Sequence, residues 1–360
     1  MPFVQVVDVK ENLHLADHTK QRISKLAQPK SVFVPAGEVL VTVQGSIGKV
    51  AITQYPSYID RTLIVFEKYN TRTDKYFWAY TLQRKFEIEK RKAPGGTIKT
   101  ITKKALSDFS IPITNYEEQG YLGTFFLKVD KLLTLYERKL KLLSQVKKYF
   151  LDNLFTEKEY PNLRFKGFTD AWEQRKLGQV GKTQSGVGFP NEEQGGLEGI
   201  PFFKVSDMNN PGNEYEMVNA NNYVKDDQLA RKKWHPIKSV PAVIFAKVGA
   251  AIMLNRKRLV TRPFLIDNNS MAYIFDDSWD INFGKNIFET INLPRYAQVG
   301  ALPSYNGSDI QGIKIFLPRK NEQSKIGIFI MTINEIITLY ENKQQHLTKI
   351  KKTLLNTMFI

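Results

Sequence analysis

Apolar residues recur every seven positions over two stretches of the chain, and the stretches lie about 204 residues apart. Within residues 118–155 one series reads Leu122, Val129, Tyr136, Leu143, Phe150, and a second reads Phe126, Leu133, Leu140, Lys147, Leu154. Only one of those ten positions is charged, which marks a helix whose apolar seam meets another helix rather than a surface helix. The later stretch gives Ile326, Ile333, Tyr340, Leu347, Leu354 and Ile330, Ile337, Gln344, Lys351, Met358. The exceptions coincide, Tyr136 with Tyr340 and Lys147 with Lys351. Glu118-Gln119 is answered by Glu322-Gln323, Gly123 by Gly327 and Phe155 by Phe359, with about 14 identities over about 38 ungapped positions. The period is that of a globular domain plus a helix, so the chain is read as a duplication. The two helices are expected to pair with each other. The seam would use Leu122, Val129, Leu133, Tyr136, Leu143 and Phe150 on one helix, and Ile326, Ile333, Ile337, Tyr340, Leu347 and Leu354 on the other. The pair should be antiparallel, because two tandem domains then point in opposite directions. Each helix would be about 57 Å long.

Outside the helices the pattern changes. Phe3 to Val9 is rich in valine, as a strand should be. Gly37 to Thr53 places two β-branched runs around Gly-Ser-Ile-Gly, a hairpin signal. Lys75 to Lys92 has helical spacing and ends at Ala93-Pro94-Gly95-Gly96. The offset persists through these segments, with Val39-Leu40 matching Val243-Ile244, Gly45 matching Gly249 and Ile111 matching Ile315. The expected fold is therefore mixed α+β and pseudo-twofold. It comprises a domain at 1–117, a helix at 118–160, a second domain at 161–316 and a second helix at 317–360. Pro2-Phe3 aligns best with Pro201-Phe202, which leaves the first domain with no counterpart to residues 162–200. Either that domain is natively shorter or the chain begins about 40 residues late.

Composition narrows the chemistry. A length of 360 residues suits two domains, and a net charge of +16 points to a polyanionic partner. The longest apolar stretch, Val240 to Leu254, is too short to span a bilayer and contains Lys247, and no secretion leader opens the sequence. With no cysteine, disulfide frameworks and thiolate metal sites are excluded, and a reducing cytoplasm fits. His14 and His18 are four apart but lack the glutamate of a zinc helix, so no metal is expected.

Catalytic motifs do not emerge. Gly45-Ser46-Ile47-Gly48-Lys49 lacks the glycine spacing of a phosphate loop and reads as a hairpin turn. Asn292-Leu293-Pro294-Arg295 fails the amino-methyltransferase tetrapeptide at two places, and four scattered histidines make no triad. The basic and amide-bearing loops are better candidates, because Lys and Arg meet phosphates while Ser, Tyr, Asn and Gln serve phosphates or base edges. In the first domain they are Lys20, Arg22, Gln44, Ser46, Lys49, Lys99, Thr100 and Lys103. In the second they are Gln184, Ser185, Lys232, Lys247, Arg256, Arg258, Arg262, Ser304, Tyr305 and Asn306.

Leu163 to Gly178 (LRFKGFTDAWEQRKLG) resembles the domain-opening signature of specificity subunits of Type I restriction–modification systems. Gly37 to Ala51, the strand before each helix and both helix repeats also resemble that family, so the likeness spans essentially the whole chain. The resemblance implies two target recognition domains, each reading one half of a split duplex DNA sequence. It implies helices that act as a ruler and dock two methyltransferase subunits, with motor–nuclease subunits joining for cleavage. It further implies no catalysis by this chain, with S-adenosylmethionine, ATP and Mg on the partners. One departure stands out: the opening signature occurs only before the second domain. An alternative follows, a truncated or decoy specificity protein that assembles with methyltransferase subunits but reads one half-site.

Overall fold

The computed structural model describes residues 1–92, 101–298 and 302–359, and the chain divides into two units. Unit 1 is Met1–Lys141 with Leu339–Ile360, and unit 2 is Leu142–Thr338. Unit 1 contains β1 (Pro2–Val4), β2 (Gln21–Arg22), β3 (Val32–Val34), β4 (Val39–Thr42), β5 (Val50–Ile52), β6 (Ser57–Ile59) and β7 (Leu63–Phe66). The helices α1 (Lys75–Lys92), α2 (Lys103–Ser107) and the first part of α3 (Tyr116–Leu154) follow. The strands form two sheets, ordered β2-β1-β6-β3 and β5-β4-β7.

The expected hairpin forms, with Val39 opposite Ile52 and Val41 opposite Val50. Thr42 holds its turn, donating its hydroxyl to the Ser46 carbonyl at 2.5 Å and accepting the Lys49 N–H at 3.0 Å. The valine-rich run at the start is strand only to Val4, and Val6–Asp8 makes a 3-10 turn. Asp8 explains the break, because its buried carboxylate accepts the N–H groups of Gln5 and Lys20, both at 2.9 Å.

Helix α1 packs Phe77, Tyr80 and Phe86 onto Val39, Val41, Val50 and Ile52 in one core, joined by Leu122 and Phe126 of α3. Asp74 caps α1 by accepting the Phe77 N–H at 2.8 Å. Gln119 of α3 accepts the Asp74 N–H at 3.0 Å, which ties the long helix to the start of the short one. Gly123 permits this approach: a Cβ there would lie 2.5 Å from Asp74 Oδ1. The last helix, α7 (Lys320–Met358), delivers Phe359 into the same core. That ring stacks on Phe77 at 5.3 Å and lies 5.4 Å from Phe126. Tyr136 meets Tyr340 at 5.9 Å, so residue numbers rise on α3 as they fall on α7 and the pairing is antiparallel.

Unit 2 repeats this plan with additions. Its strands are β8 (Glu173–Lys176), β9 (Gly181–Ser185), β10 (Ile200–Phe203), β11 (Tyr223–Val224), β12 (Ala242–Ala246), β13 (Lys257–Val260), β14 (Leu265–Ile266), β15 (Ser270–Phe275) and β16 (Lys314–Leu317). Short helices α4 (Asp226–Lys232), α5 (Ile281–Thr290) and α6 (Gly307–Gln311) lie between them. The sheets run β13-β12-β15-β9, β11-β10-β14 and β16-β8. Strands β12, β13 and β15 correspond to β4, β5 and β7, and β10 pairs in parallel with β14 as β1 does with β6. Among the described residues, β8 and β9 have no counterpart in unit 1.

The helix junction recurs almost atom for atom. Asp280 caps α5 through the Phe283 N–H at 3.0 Å, Gln323 accepts the Asp280 N–H at 2.9 Å, and a Cβ on Gly327 would lie 2.6 Å from Asp280 Oδ1. Phe155 stacks on Phe283 at 5.2 Å, and Phe150 meets Phe329 edge-on at 4.7 Å. Of the expected seam residues, Leu122, Leu133, Ile326 and Ile333 are buried, while Val129, Tyr136, Leu143, Phe150, Ile337, Tyr340, Leu347 and Leu354 are half-buried.

Unit 2 also buries two lysines where unit 1 carries Val50 and Ala79 in its core. Lys257 donates to the Ile291 carbonyl at 2.7 Å, and Lys285 donates to the Lys257 carbonyl at 3.1 Å and pairs with Glu289. Burial pushes the Lys257 ammonium down to about 8. A base with a lowered folded pKa binds fewer protons when folded than when unfolded, so stability rises with pH above that value until the ordinary lysine pKa is reached. Chemical denaturation between about pH 8 and about pH 10 should show this rise, up to about 1.4 kcal/mol per pH unit. Burial also lowers the Lys285 ammonium, so Lys257→Met should reduce the slope and leave the share of Lys285; an unchanged slope in the variant would contradict the assignment.

Candidate nucleic-acid interface

The candidate contact residues of unit 2 separate into three groups. The first gathers at one end of the β13-β12-β15-β9 sheet. Gln184 and Ser185 are exposed at the end of β9, paired with Ala272 and Met271 of β15. Lys247 follows β12 and donates its ammonium to the Ser185 hydroxyl at 3.2 Å. Its backbone is fixed on both sides, by its own N–H to the Asn269 carbonyl at 2.7 Å and by the Tyr305 N–H to its carbonyl at 3.1 Å. Val248 bridges Ser304, and the Gly249 N–H reaches the Pro303 carbonyl at 2.9 Å. Asn306 caps α6, accepting the Asp309 N–H at 2.9 Å. Four chain segments thus bring Gln184, Ser185, Lys247, Ser304 and Asn306 together, joined by Asn269, a residue that no sequence signal singles out.

Tyr305 belongs to this loop in sequence but not in chemistry. Its side chain is 3% exposed and packs against Phe245 at 6.3 Å, and burial pushes its hydroxyl up to about 12. It is a core residue that anchors the loop, and its expected role as a contact is corrected.

The second group is Arg256, Arg258 and Arg262, which turn toward the segment between β10 and β11. Arg256 donates to the Asn209 side chain, Arg258 to the Met208 carbonyl at 3.4 Å and Arg262 to the Val218 carbonyl at 2.5 Å. Within that segment buried Asn213 accepts the N–H groups of Val218 and Asn219, both at 2.9 Å, and donates to the carbonyls of Asp207 and Asn219, both at 2.7 Å. Three residues that read as a basic cluster therefore brace an asparagine-rich loop. Arg258 is the most enclosed, and burial, reinforced by the neighbouring Arg256 charge, lowers its pKa.

The third group is the basic run on α4. Lys232 lies 3.4 Å from Glu193 and 3.5 Å from Glu192, while Arg231 reaches Glu193 at 2.7 Å. Hydrogen bonds from Arg231 first and Gln228 second, with a smaller part from Lys232, hold the Glu193 carboxyl down at about 2. Lys232 therefore lies beside carboxylates of its own unit, apart from the cluster at the sheet end.

Unit 1 presents the equivalent sheet end with different side chains. Gln44 and Ser46 are exposed in the β4–β5 turn, with Lys49 half-buried behind them. Val43 stands where unit 2 has Lys247, and its carbonyl accepts the Ile101 N–H at 3.0 Å as Lys247 accepts that of Tyr305. Thr102 caps α2 at 3.1 Å as Asn306 caps α6, which places exposed Lys103 at this end. Lys20 and Arg22 lie elsewhere, on the exposed β2 edge of the other sheet. Lys99 and Thr100 fall outside the described residues.

Gly186 gives the unit 2 cluster its shape. A Cβ there would lie 2.0 Å from the Asp267 carbonyl oxygen and 2.3 Å from that of Ile266. The loop after Ser185 therefore lies directly against the end of β14. Gly186→Ala should push it away, costing about 1–3 kcal/mol of stability by overpacking. A denaturation midpoint equal to that of the unaltered protein would show that the contact is dispensable.

The family model for the Type I restriction modification DNA specificity domain matches residues 1–145 and again residues 169–349. The Type I restriction enzyme MjaVIII specificity subunit of Methanocaldococcus jannaschii is 21% identical over 361 residues, spanning 96% of this chain and 83% of that protein. The MjaIX specificity subunit of the same organism is 24% identical over 339 residues, spanning 89% and 76%. Among solved structures, the S subunit of a Type-I restriction-modification system from M. genitalium superposes with a TM-score of 0.61 at 16% identity, over 96% of this chain and 87% of that one. A chain from a structure on complex assembly and conformational transition of the type I R-M system gives 0.60 at 14% identity, over 99% and 90%. At these identities the superpositions show a shared fold.

Proposed function

The chain belongs to the Type I restriction modification DNA specificity family, and from that premise we propose that it reads a bipartite duplex DNA target, one half-site per unit, and recruits methyltransferase subunits to it. One observation carries the reading. The loops bearing Ser185, Lys247, Ser304 and Asn306 converge at one end of the unit 2 sheet, and unit 1 builds the same end from Gln44, Ser46 and Lys103. Amide and hydroxyl groups beside an ammonium suit base edges flanked by phosphate, and the +16 net charge supplies long-range attraction.

Recruitment rests on the long helices. The solvent side of α3 carries exposed Tyr121, Leu135, Leu142 and Tyr149 at multiples of seven, with Phe125 and Leu132 beside them. An apolar stripe at coiled-coil spacing on a helix already paired along its other side invites further helices. In this reading motor–nuclease subunits join the same assembly, this chain performs no chemistry, and S-adenosylmethionine, ATP and Mg reside on the partners. No helix among the described residues is long and apolar enough to cross a membrane; membership of the family is what supports a cytoplasmic complex in this reading.

A second reading has its own support. Strand β9, which brings Gln184 and Ser185 to the unit 2 cluster, has no counterpart among the described residues of unit 1. The chain would then assemble with methyltransferase subunits but read DNA through unit 2 alone. Methylome sequencing separates the two: a motif with two specified halves supports the first, and one specified half the second.

Lys247→Ala in the assembled complex should weaken binding to the methylome-derived duplex about tenfold. The slope of log affinity against log salt should fall by about 0.9. Fluorescence anisotropy across a salt series measures both. Equal affinity and equal slope would remove Lys247 from the interface, and a salt-independent wild-type complex would sink the DNA reading itself.

A further inference from the structure

The apolar seam between α3 and α7 carries an ambiguity that its own periodicity creates. A slip of seven residues puts apolar side chains back onto apolar side chains, with the Tyr136–Tyr340 pair the main exception, so the seam alone specifies its setting only weakly. Unit 1 contains one group that breaks the degeneracy. Asp130 on α3 is 1% exposed. Its carboxylate meets the Lys351 ammonium of α7 at 2.5 Å and accepts the Tyr80 hydroxyl of α1 at 2.6 Å. Lys351 also lies over the Tyr80 ring at 5.6 Å. Three helices thus meet at one buried carboxylate. The corresponding positions of unit 2 are Asn286, Asn334 and Lys147, so the carboxylate occurs in one copy only.

We infer that Asp130, Lys351 and Tyr80 form a register lock that admits one setting of α7 against α3 in unit 1. Shifting α7 by seven residues brings Gln344 or Met358 opposite Asp130 in place of Lys351. Either leaves a carboxylate in the core with no cation, a far larger penalty than the apolar contacts can offset. Phe359, eight residues beyond Lys351, then enters its place against Phe77 and Phe126 in that setting alone. The three polar residues act as positioning residues. On the DNA-reading proposal above, they keep the spacer between the two half-sites single-valued.

The chain has no cysteine, which makes spin labelling direct. Labels at Lys128→Cys and Thr353→Cys, both exposed, report the setting of the two helices by pulsed electron resonance in the full-length protein. The native triad should give one narrow distance distribution. The apolar triple variant Asp130→Leu, Lys351→Met, Tyr80→Phe keeps the volume and should add a second population, displaced along the helix by about 10 Å, one heptad. The reversed pair Asp130→Lys, Lys351→Asp should restore the single distance, which a generally damaged core would not do. A single narrow distance in the apolar variant overturns the lock. Methylomes of cells carrying the same variants then test the spacer. Extra spacer lengths in the triple variant are expected, and a split distance with an unchanged spacer overturns the role in spacing. A wild-type methylome without a split motif would sink the two-half-site reading, while the spin-label distance still decides the lock.

Discussion

Each unit is closed by an aromatic ring from the far end of a long helix. In unit 1 Phe359 stacks on Phe77 and leans on Phe126, and in unit 2 Phe155 stacks on Phe283 beside buried Leu154. A ring in such a position contributes about 3–5 kcal/mol against truncation, a large part of the margin by which an ordinary domain is folded. Gln119 and Gln323 add a polar tie at the opposite side of each junction by accepting the N–H of the capping aspartate. The helices are therefore structural members of both cores. A division into domains and spacers, natural on the sequence, cuts through the packing of unit 1 at Leu122 and Phe126.

The repeated residues were legible because they answer to local geometry. Gly123 and Gly327 recur since any side chain there would strike an aspartate cap, and Gln119 and Gln323 recur since each satisfies that cap's N–H. The seven-residue series exposed the helices, and the run around Val39 exposed the hairpin. The contact loops were legible only in part. Lys247 and Ser185 are 62 positions apart, and nothing in either neighbourhood announces their hydrogen bond.

Charge proved the least readable property. Arg256, Arg258 and Arg262 look like a basic patch in sequence, yet they spend their donors on Asn209, Met208 and Val218, about 44 to 50 residues away. Lys232 is neutralised by carboxylates some 40 positions earlier. Conversely, Lys257 and Lys285 lie in a core that composition would have filled with aliphatics, as unit 1 does with Val50 and Ala79. A surplus of positive charge indicates the class of partner, but its partition among surface, scaffold and core depends on long-range pairing that no window of sequence contains.

The position of Phe359 also orders events in time. A ribosome makes Phe77 and Phe126 early, but the ring that covers them is added only after all of unit 2 has been synthesised. Unit 2, bounded by Leu142 and Thr338, holds all of its own core residues before that point. The later-made half is thus the first able to fold to completion, reversing the usual N-terminal-first order of nascent domains. Until the last helix turns emerge, the earlier half keeps the faces of Phe77 and Phe126 uncovered.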